Sequence, residues 1–250
     1  MNKPLRNAAV SGILLLTGAL NLSFVWNKPV PVATEAVTVP AIKNSGELAH
    51  AAAMYDSLKL GLAGLNRDAF ENALKGWDKL KQEGRLENES VITIADFTQS
   101  SNKKRLYVLD VENYKVLFNT LVAHGRNSGR EWATQFSNKL SSFQSSPGFY
   151  VTGNTYFGSN GYSLKLNGME KGINDKALKR AIVMHGADYV NESYIASQGF
   201  IGRSLGCPAV PARQAKSIIN TLKGGTVLYI HVPNQGYLSR SSILRDSSMG

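Results

Sequence analysis

Val91-Ile92-Thr93-Ile94-Ala95, Arg105-Leu106-Tyr107-Val108-Leu109 and Lys115-Val116-Leu117-Phe118 are short β-branched and aromatic runs separated by turn residues. Runs of this kind predict strands. The series continues downstream with Gly148-Phe149-Tyr150-Val151-Thr152, Tyr162-Ser163-Leu164-Lys165-Leu166, Ala181-Ile182-Val183-Met184 and Val227-Leu228-Tyr229-Ile230-His231. A helix is expected late, over 212–222. Many short strands with little helix between them imply a mainly β domain with some α (α+β), a β-barrel or sandwich over 87–233. The Ser-rich residues 234–250 are expected to form a flexible tail.

Upstream the pattern is helical. Leu48, Ala51, Ala52, Tyr55, Leu58, Leu62 and Leu65 recur at three- and four-residue spacing and make one apolar stripe. Asp68 with Glu71 resembles a capping box, and Phe70, Ala73, Leu74, Trp77 and Leu80 form a second stripe ending near Gly84. This N-terminal helical pair, 43–86, is expected to pack on the strand domain. Residues 27–42, with Pro29, Pro31 and Pro40, are expected to be a linker. Before it, Lys3 and Arg6 precede an apolar run from Ile13 to Trp26. Residues 1–26 therefore have the composition of a signal peptide or signal anchor. Ala19 and Ala33 to Ala36 are weak cleavage candidates, so membrane attachment through the N-terminus stays open. The protein is expected to be exported, to the periplasm or cell envelope.

A formal charge of +10 and a pI near 9.6 call for a counter-charge. No Arg-rich run, zinc-ligand spacing or RNA-binding aromatic signature points to nucleic acid. Anionic envelope polymers and lipid headgroups fit an exported chain better. Neither a metal nor another cofactor is expected, since no CxxC or HxxxH spacing occurs.

The chain has one cysteine, Cys207. A lone free thiol in an oxidising compartment is either an inert buried hydrophobe or a group kept for its reactivity. His185-Gly186 follows a predicted strand 22 positions earlier, and Gly202-Arg203-Ser204-Leu205-Gly206-Cys207-Pro208-Ala209-Val210 surrounds the thiol. A thiol needs a neighbouring base or cation to become thiolate near neutral pH. A histidine at a strand end can supply the base. Gly206 lets backbone amides of Leu205, Gly206 and Cys207 approach an oxyanion. Pro208 suits the first turn of a helix. Among the other histidines, His50 and His231 read as structural. The polar stretch Arg126 to Ser146 reads either as a substrate-shaping loop or as a mobile connection.

The segment resembles the active-site motif of the L,D-transpeptidase catalytic domain family (YkuD-like), and most closely its murein L,D-transpeptidase branch. The likeness extends to Val122-Ala123-His124-Gly125-Arg126-Asn127-Ser128-Gly129, Phe136-Ser137-Asn138, Ser146-Pro147-Gly148-Phe149-Tyr150 and Arg203 through Pro208. It spans roughly Ala51 to His231. The resemblance implies Cys207 as nucleophile, His185 as general base and the Gly186 carbonyl as the group that orients the imidazole. Backbone N–H groups of Leu205, Gly206 and Cys207 would match the oxyanion hole. Arg203, Ser204, His124 and Tyr189 are expected to contact substrate. Two positions depart from the family pattern: Leu205 stands where a His is usual, and Ala209 where an Arg is usual. Arg203 is a candidate to replace the lost charge, and His124 the lost histidine.

The reaction so implied is two-step acyl transfer on peptidoglycan tetrapeptide stems. It would run through a Cys thioester, with loss of D-alanine and a 3→3 cross-link. An L,D-carboxypeptidase using the same thioester, a non-catalytic peptidoglycan-binding protein and a papain-like protease are the alternatives. The last fits poorly with a histidine preceding the cysteine in a strand-rich chain.

Overall fold

A computed structural model describes residues 45–232 and 235–245; the expected leader 1–26 and linker 27–42 lie outside the described residues. All described residues belong to one contact unit, 43–250. Among them no helix is long and apolar enough to cross a membrane.

Two helices come first, α1 (Ser45–Ser57) and α2 (Arg67–Gln82). The first is shorter than its apolar stripe predicts. Lys59 turns the chain at φ 52°, which leaves Leu62 89% exposed and buries Leu60 and Leu65 instead. The periodicity fails there because residues 58–65 form a turn, with Leu60 N–H bonded to Tyr55 O at 3.1 Å. The cap of α2 is also two residues earlier than expected. Asn66, not Asp68, accepts from the N–H groups of Asp68 (2.8 Å) and Ala69 (3.4 Å). Lys79 and Lys81 in the last turn complement the negative end of the helix dipole.

The strands are β1 (Val91–Asp96), β2 (Leu106–Asp110), β3 (Lys115–Thr120), β4 (Gly148–Gly158), β5 (Gly161–Gly168), β6 (Val183–Ala187), β7 (Ala209–Pro211) and β8 (Val227–His231). Three further helices are α3 (Glu192–Gln198), α4 (Ala212–Leu222) and α5 (Gln235–Leu238). The sheet order is β3-β2-β1-β8-β4-β5-β6-β7. Pairs β1/β8 and β6/β7 are parallel and the rest antiparallel. After β3 the chain reaches β7 through an Ala123–Ala209 bridge, so the mixed sheet forms a nearly closed barrel. β1 and β8 are buried at every position, as parallel strands covered on both faces must be.

α2 lies on the sheet through Ala69, Phe70, Ala73, Gly76 and Leu80. Gly76 is where the approach is closest. A Cβ there would stand 2.1 Å from the ring of Phe149, which is fully buried and stacked on Tyr229 at 4.3 Å. Alanine gains about 1 kcal/mol of helix propensity over glycine, but overpacking a filled core costs about 1–3 kcal/mol. The clash wins. Gly76→Ala is expected to lower the denaturant midpoint without changing the slope, and an unchanged or raised midpoint would contradict this packing.

Three expectations are corrected here. The sixth strand starts at Val183, not Ala181, which sits in a turn at φ 53°; His185 is therefore inside a strand rather than at its end. The nucleophile segment runs into β7 rather than directly into a helix, and α4 begins only after Pro211. Finally, residues 235–245 are not a flexible tail. Tyr237, Ser241, Ile243 and Leu244 are buried, and the carboxylate of Glu170 accepts from the Phe149 N–H (2.8 Å), the Tyr237 hydroxyl (3.1 Å) and the Ser241 hydroxyl. A composition rich in serine read as solvated, whereas these hydroxyls satisfy a buried acid.

Candidate active site

The barrel seam positions the chemistry. β6 and β7 run parallel with His185 opposite Ala209 and Gly186 opposite Val210. Two residues back in the same register, Cys207 falls beside Val183, whose N–H points at Sγ from 3.5 Å. A Cβ on Gly186 would meet Ala215 Cβ at 2.8 Å and Ala212 Cα at 3.1 Å, so that face of β6 is closed by α4. Side chains alternate along a strand. His185 and Val183 therefore share the opposite face.

His185 Nδ1 lies 2.9 Å from Gly186 O. A carbonyl only accepts, so Nδ1 carries the hydrogen and Nε2 keeps its lone pair. Burial lowers the imidazole pKa, partly opposed by that carbonyl. The ring is neutral and basic at Nε2.

Cys207 is buried, 7% exposed, and its S–H is directed at Ala181 O, 3.7 Å away. Burial pushes the Cys207 thiol up; the Val183 N–H and Arg180 oppose this. The resting pair is thus thiol and imidazole, without a preformed ion pair. No direct His185–Cys207 hydrogen bond forms among the described residues.

The turn that carries Cys207 is stapled internally. Ser204 Oγ donates to Cys207 O (2.6 Å) and accepts from Gly206 N–H (3.0 Å). Gly206 has φ +123°, a backbone that favours glycine. Its N–H is therefore committed, which removes it from the three amides expected to meet an oxyanion. The N–H groups of Leu205 and Cys207 have no acceptor among the described residues. The neighbouring strand-like segment holds the turn from the other side: Ser204 N–H donates to His124 O (2.9 Å) and Arg126 N–H to Ser204 O (2.8 Å).

The four side chains expected to contact substrate divide sharply. Ser204, 4% exposed, is spent on the turn. His124 is fully buried: Nδ1 accepts from Arg105 Nη2 (2.7 Å) and Nε2 faces Gly129 O (3.3 Å). It lines no cleft and does not replace the missing histidine. Arg203 is exposed and donates to Arg126 O (3.3 Å) and Gly129 O (3.2 Å). Tyr189 is half-buried, and its phenol is pushed up to about 12 by burial and then by the nearby Cys207. Of the four, it is the side chain that senses the thiol.

Arg180 is the residue that motif reading missed. Its guanidinium donates to Ser137 O (2.8 Å), Ser142 Oγ (3.2 Å), Ser146 Oγ and Gln144 O. A Cβ on Gly206 would stand 3.3 Å from its Nη2. A cation just before the histidine strand was the available signal, though it lies 27 positions before the cysteine. The Arg126–Ser146 stretch that it ties down also bonds within itself, Asn127 Nδ2 to Ser142 O (2.9 Å) and Gln144 Nε2 to Asn127 O (3.0 Å). It packs under the nucleophile turn.

Beside Ala181, Ile182 and Val183, which adjoin the sulfur, opens a groove of about 640 Å³. It is also lined by Asn154, Tyr156 and Lys165. Among the described residues no group of three or more His, Cys, Asp or Glu converges as a metal site.

The His124–Arg105 contact makes a pH prediction. Burial, then the Arg105 charge, holds the folded imidazole down to about 3, whereas an unfolded one titrates near 6.5. A depressed pKa stabilises fully above the unfolded value and is lost as pH falls toward the folded one. Stability should therefore fall from about pH 6.5 downward, by up to about 1.4 kcal/mol per unit from this group. Denaturant midpoints between about pH 7 and pH 4 check it, and His124→Gln should flatten the slope.

The L,D-transpeptidase catalytic domain family model matches residues 62–231. No curated protein matches the chain. Among solved structures, an L,D-transpeptidase from Mycobacterium smegmatis is 13% identical with a TM-score of 0.35, covering 57% of this chain and 59% of that one. One from Stackebrandtia nassauensis is 15% identical with a TM-score of 0.35, covering 67% and 68%. The helical cell shape determining protein Pgp2 from Campylobacter jejuni is 14% identical with a TM-score of 0.38, covering 64% and 57%. The chain thus spans under two thirds of the Mycobacterium smegmatis structure.

Proposed function

The chain belongs to the L,D-transpeptidase catalytic domain family, and from that membership we propose a cysteine acyltransferase acting on peptidoglycan tetrapeptide stems. The observation that carries the reading is the pairing across β6 and β7: the chain's one thiol beside Val183, and a neutral imidazole with a free Nε2 lone pair on the same strand face. His185 takes the proton from Cys207 as Sγ attacks the stem's carbonyl carbon. The oxyanion is received by the Leu205 and Cys207 N–H groups, which keep no internal partner among the described residues. Each such donor is worth about 3 kcal/mol in the transition state. The tetrahedral centre collapses to a thioester, and D-alanine leaves with the proton from His185. An amine of a second stem then displaces the thiol to give a 3→3 cross-link. Water in that place gives trimming instead.

This substrate lies outside the cytoplasm, which fits the leader-like composition of residues 1–26. The protein is thus read as exported to the periplasm or envelope. The deciding experiment is the intact mass of the protein after mixing with a tetrapeptide stem. An acyl adduct on Cys207, one D-alanine lighter than the stem plus protein, is expected. An unchanged mass with a labelled stem bound non-covalently would sink the enzymatic reading in favour of wall binding.

A further inference from the structure

The geometry points to Arg180 as the positioning cation of this site: pinned under the Gly206 turn, its guanidinium is the counter-charge of the Cys207 thiolate. This rests on Cys207 being the nucleophile. Family pattern puts an arginine where Ala209 stands, and Arg203, the nearest one in sequence, is turned toward Arg126 O and Gly129 O. Arg180 comes close enough to the turn that a Cβ on Gly206 would lie 3.3 Å from its Nη2.

Its four hydrogen bonds go to neutral groups, two serine hydroxyls and two carbonyls of the 137–146 stretch. No carboxylate pairs with it among the described residues. The ionisable groups whose charge acts on it are Tyr150 and then Cys207, the residue after Gly206. A half-buried guanidinium held by neutral acceptors lacks an anion, and it cannot shed its proton. Burial and Arg180 itself act on Tyr150 in opposite directions, and burial keeps that phenol well above its ordinary value. Cys207 is thus the acid whose ionisation supplies the anion.

The groups whose charge couples to the sulfur are Arg180 from the segment before β6, Tyr189 after it and Tyr150 on β4, and His185 lies two residues along β6 from Val183, whose N–H meets Sγ. When the S–H proton passes to His185 Nε2, thiolate and imidazolium form. Arg180 stays as it was and lowers the cost of the thiolate. It touches no substrate atom; it acts through the nucleophile.

The test reads the thiol itself. With isotope-labelled cysteine Cβ the full chain gives one resonance, because Cys207 is the only cysteine. Its titration midpoint is compared in wild type, Arg180→Gln, Arg180→Lys and Ser146→Ala. Removing the charge should raise the midpoint by about one unit, a tenfold loss of thiolate at fixed pH below it. Arg180→Lys should keep the midpoint near wild type while melting lower, since an ammonium cannot make the forked bonds. Ser146→Ala should melt lower with its midpoint unmoved. If Arg180→Gln does not fold, Arg180→Met carries the same expectation. A midpoint equal to wild type in the charge-free variant, or shifted as far by lysine as by glutamine, overturns the proposal and leaves a strut. A wild-type protein that titrates as expected and acylates no stem would count against the acyl-transfer reading and not against the cation.

Discussion

Cys207→Ser folds, melts within about 1 kcal/mol of wild type, and acylates no stem. The smaller hydroxyl fits the space of the sulfur, with Ala181 O as the acceptor and the Val183 N–H as the donor beside it. What disappears is the nucleophile. An alcohol is a far weaker acid than a thiol, so the same imidazole faces a much larger acidity gap in deprotonating it. Removing a nucleophile of this kind costs about 10⁴-fold or more in turnover. Mass spectrometry of the stem adduct, with thermal melts as the control for folding, checks the result. Turnover near wild type in the serine variant would move the chemistry away from the β6/β7 seam.

His185→Gln should lose about 10²–10⁴-fold in acylation, the usual range for a lost general base, and change the pH profile as well. Burial lowers the wild-type imidazole from its ordinary 6.5, so the base stays unprotonated as pH falls through that value. The acid limb of the wild-type profile should therefore lie below 6.5, and glutamine, which does not titrate, should abolish it. Because burial also raises the thiol, the resting Cys207 stays protonated at neutral pH. Wild-type labelling by a small alkylating agent near pH 7 should be slow, and slower still in the variant. An acid limb that survives in His185→Gln would assign the base to another group.

How much of this was legible in the chain follows from the range of each interaction. Strands such as Val91–Ala95 and Val227–His231 announced themselves because β-branched and aromatic residues prefer the pleated backbone locally. The three-residue β7 was not legible: Ala209-Val210-Pro211 carries no strand pattern, and it pairs because β6 lies beside it. The apolar stripe through Leu62 misled for the opposite reason, since spacing says nothing about a turn at Lys59. Tyr237 and Ser241 looked like a loose end until Glu170 was placed against them.

The same division runs through the site. By itself the sequence determined the reagents, one thiol, a histidine-glycine upstream of it, and a glycine in the turn, because reactivity of this kind is a property of residue type and short spacing. Tertiary structure alone decided which neighbours those reagents have. It buried His124 on Arg105, turned Arg203 outward, spent Ser204 and the Gly206 N–H on the turn, and brought Arg180 under it. Charge and hydrogen bonding act over a few ångströms of space, and the barrel's closure, not the order of residues, sets which groups come within that reach.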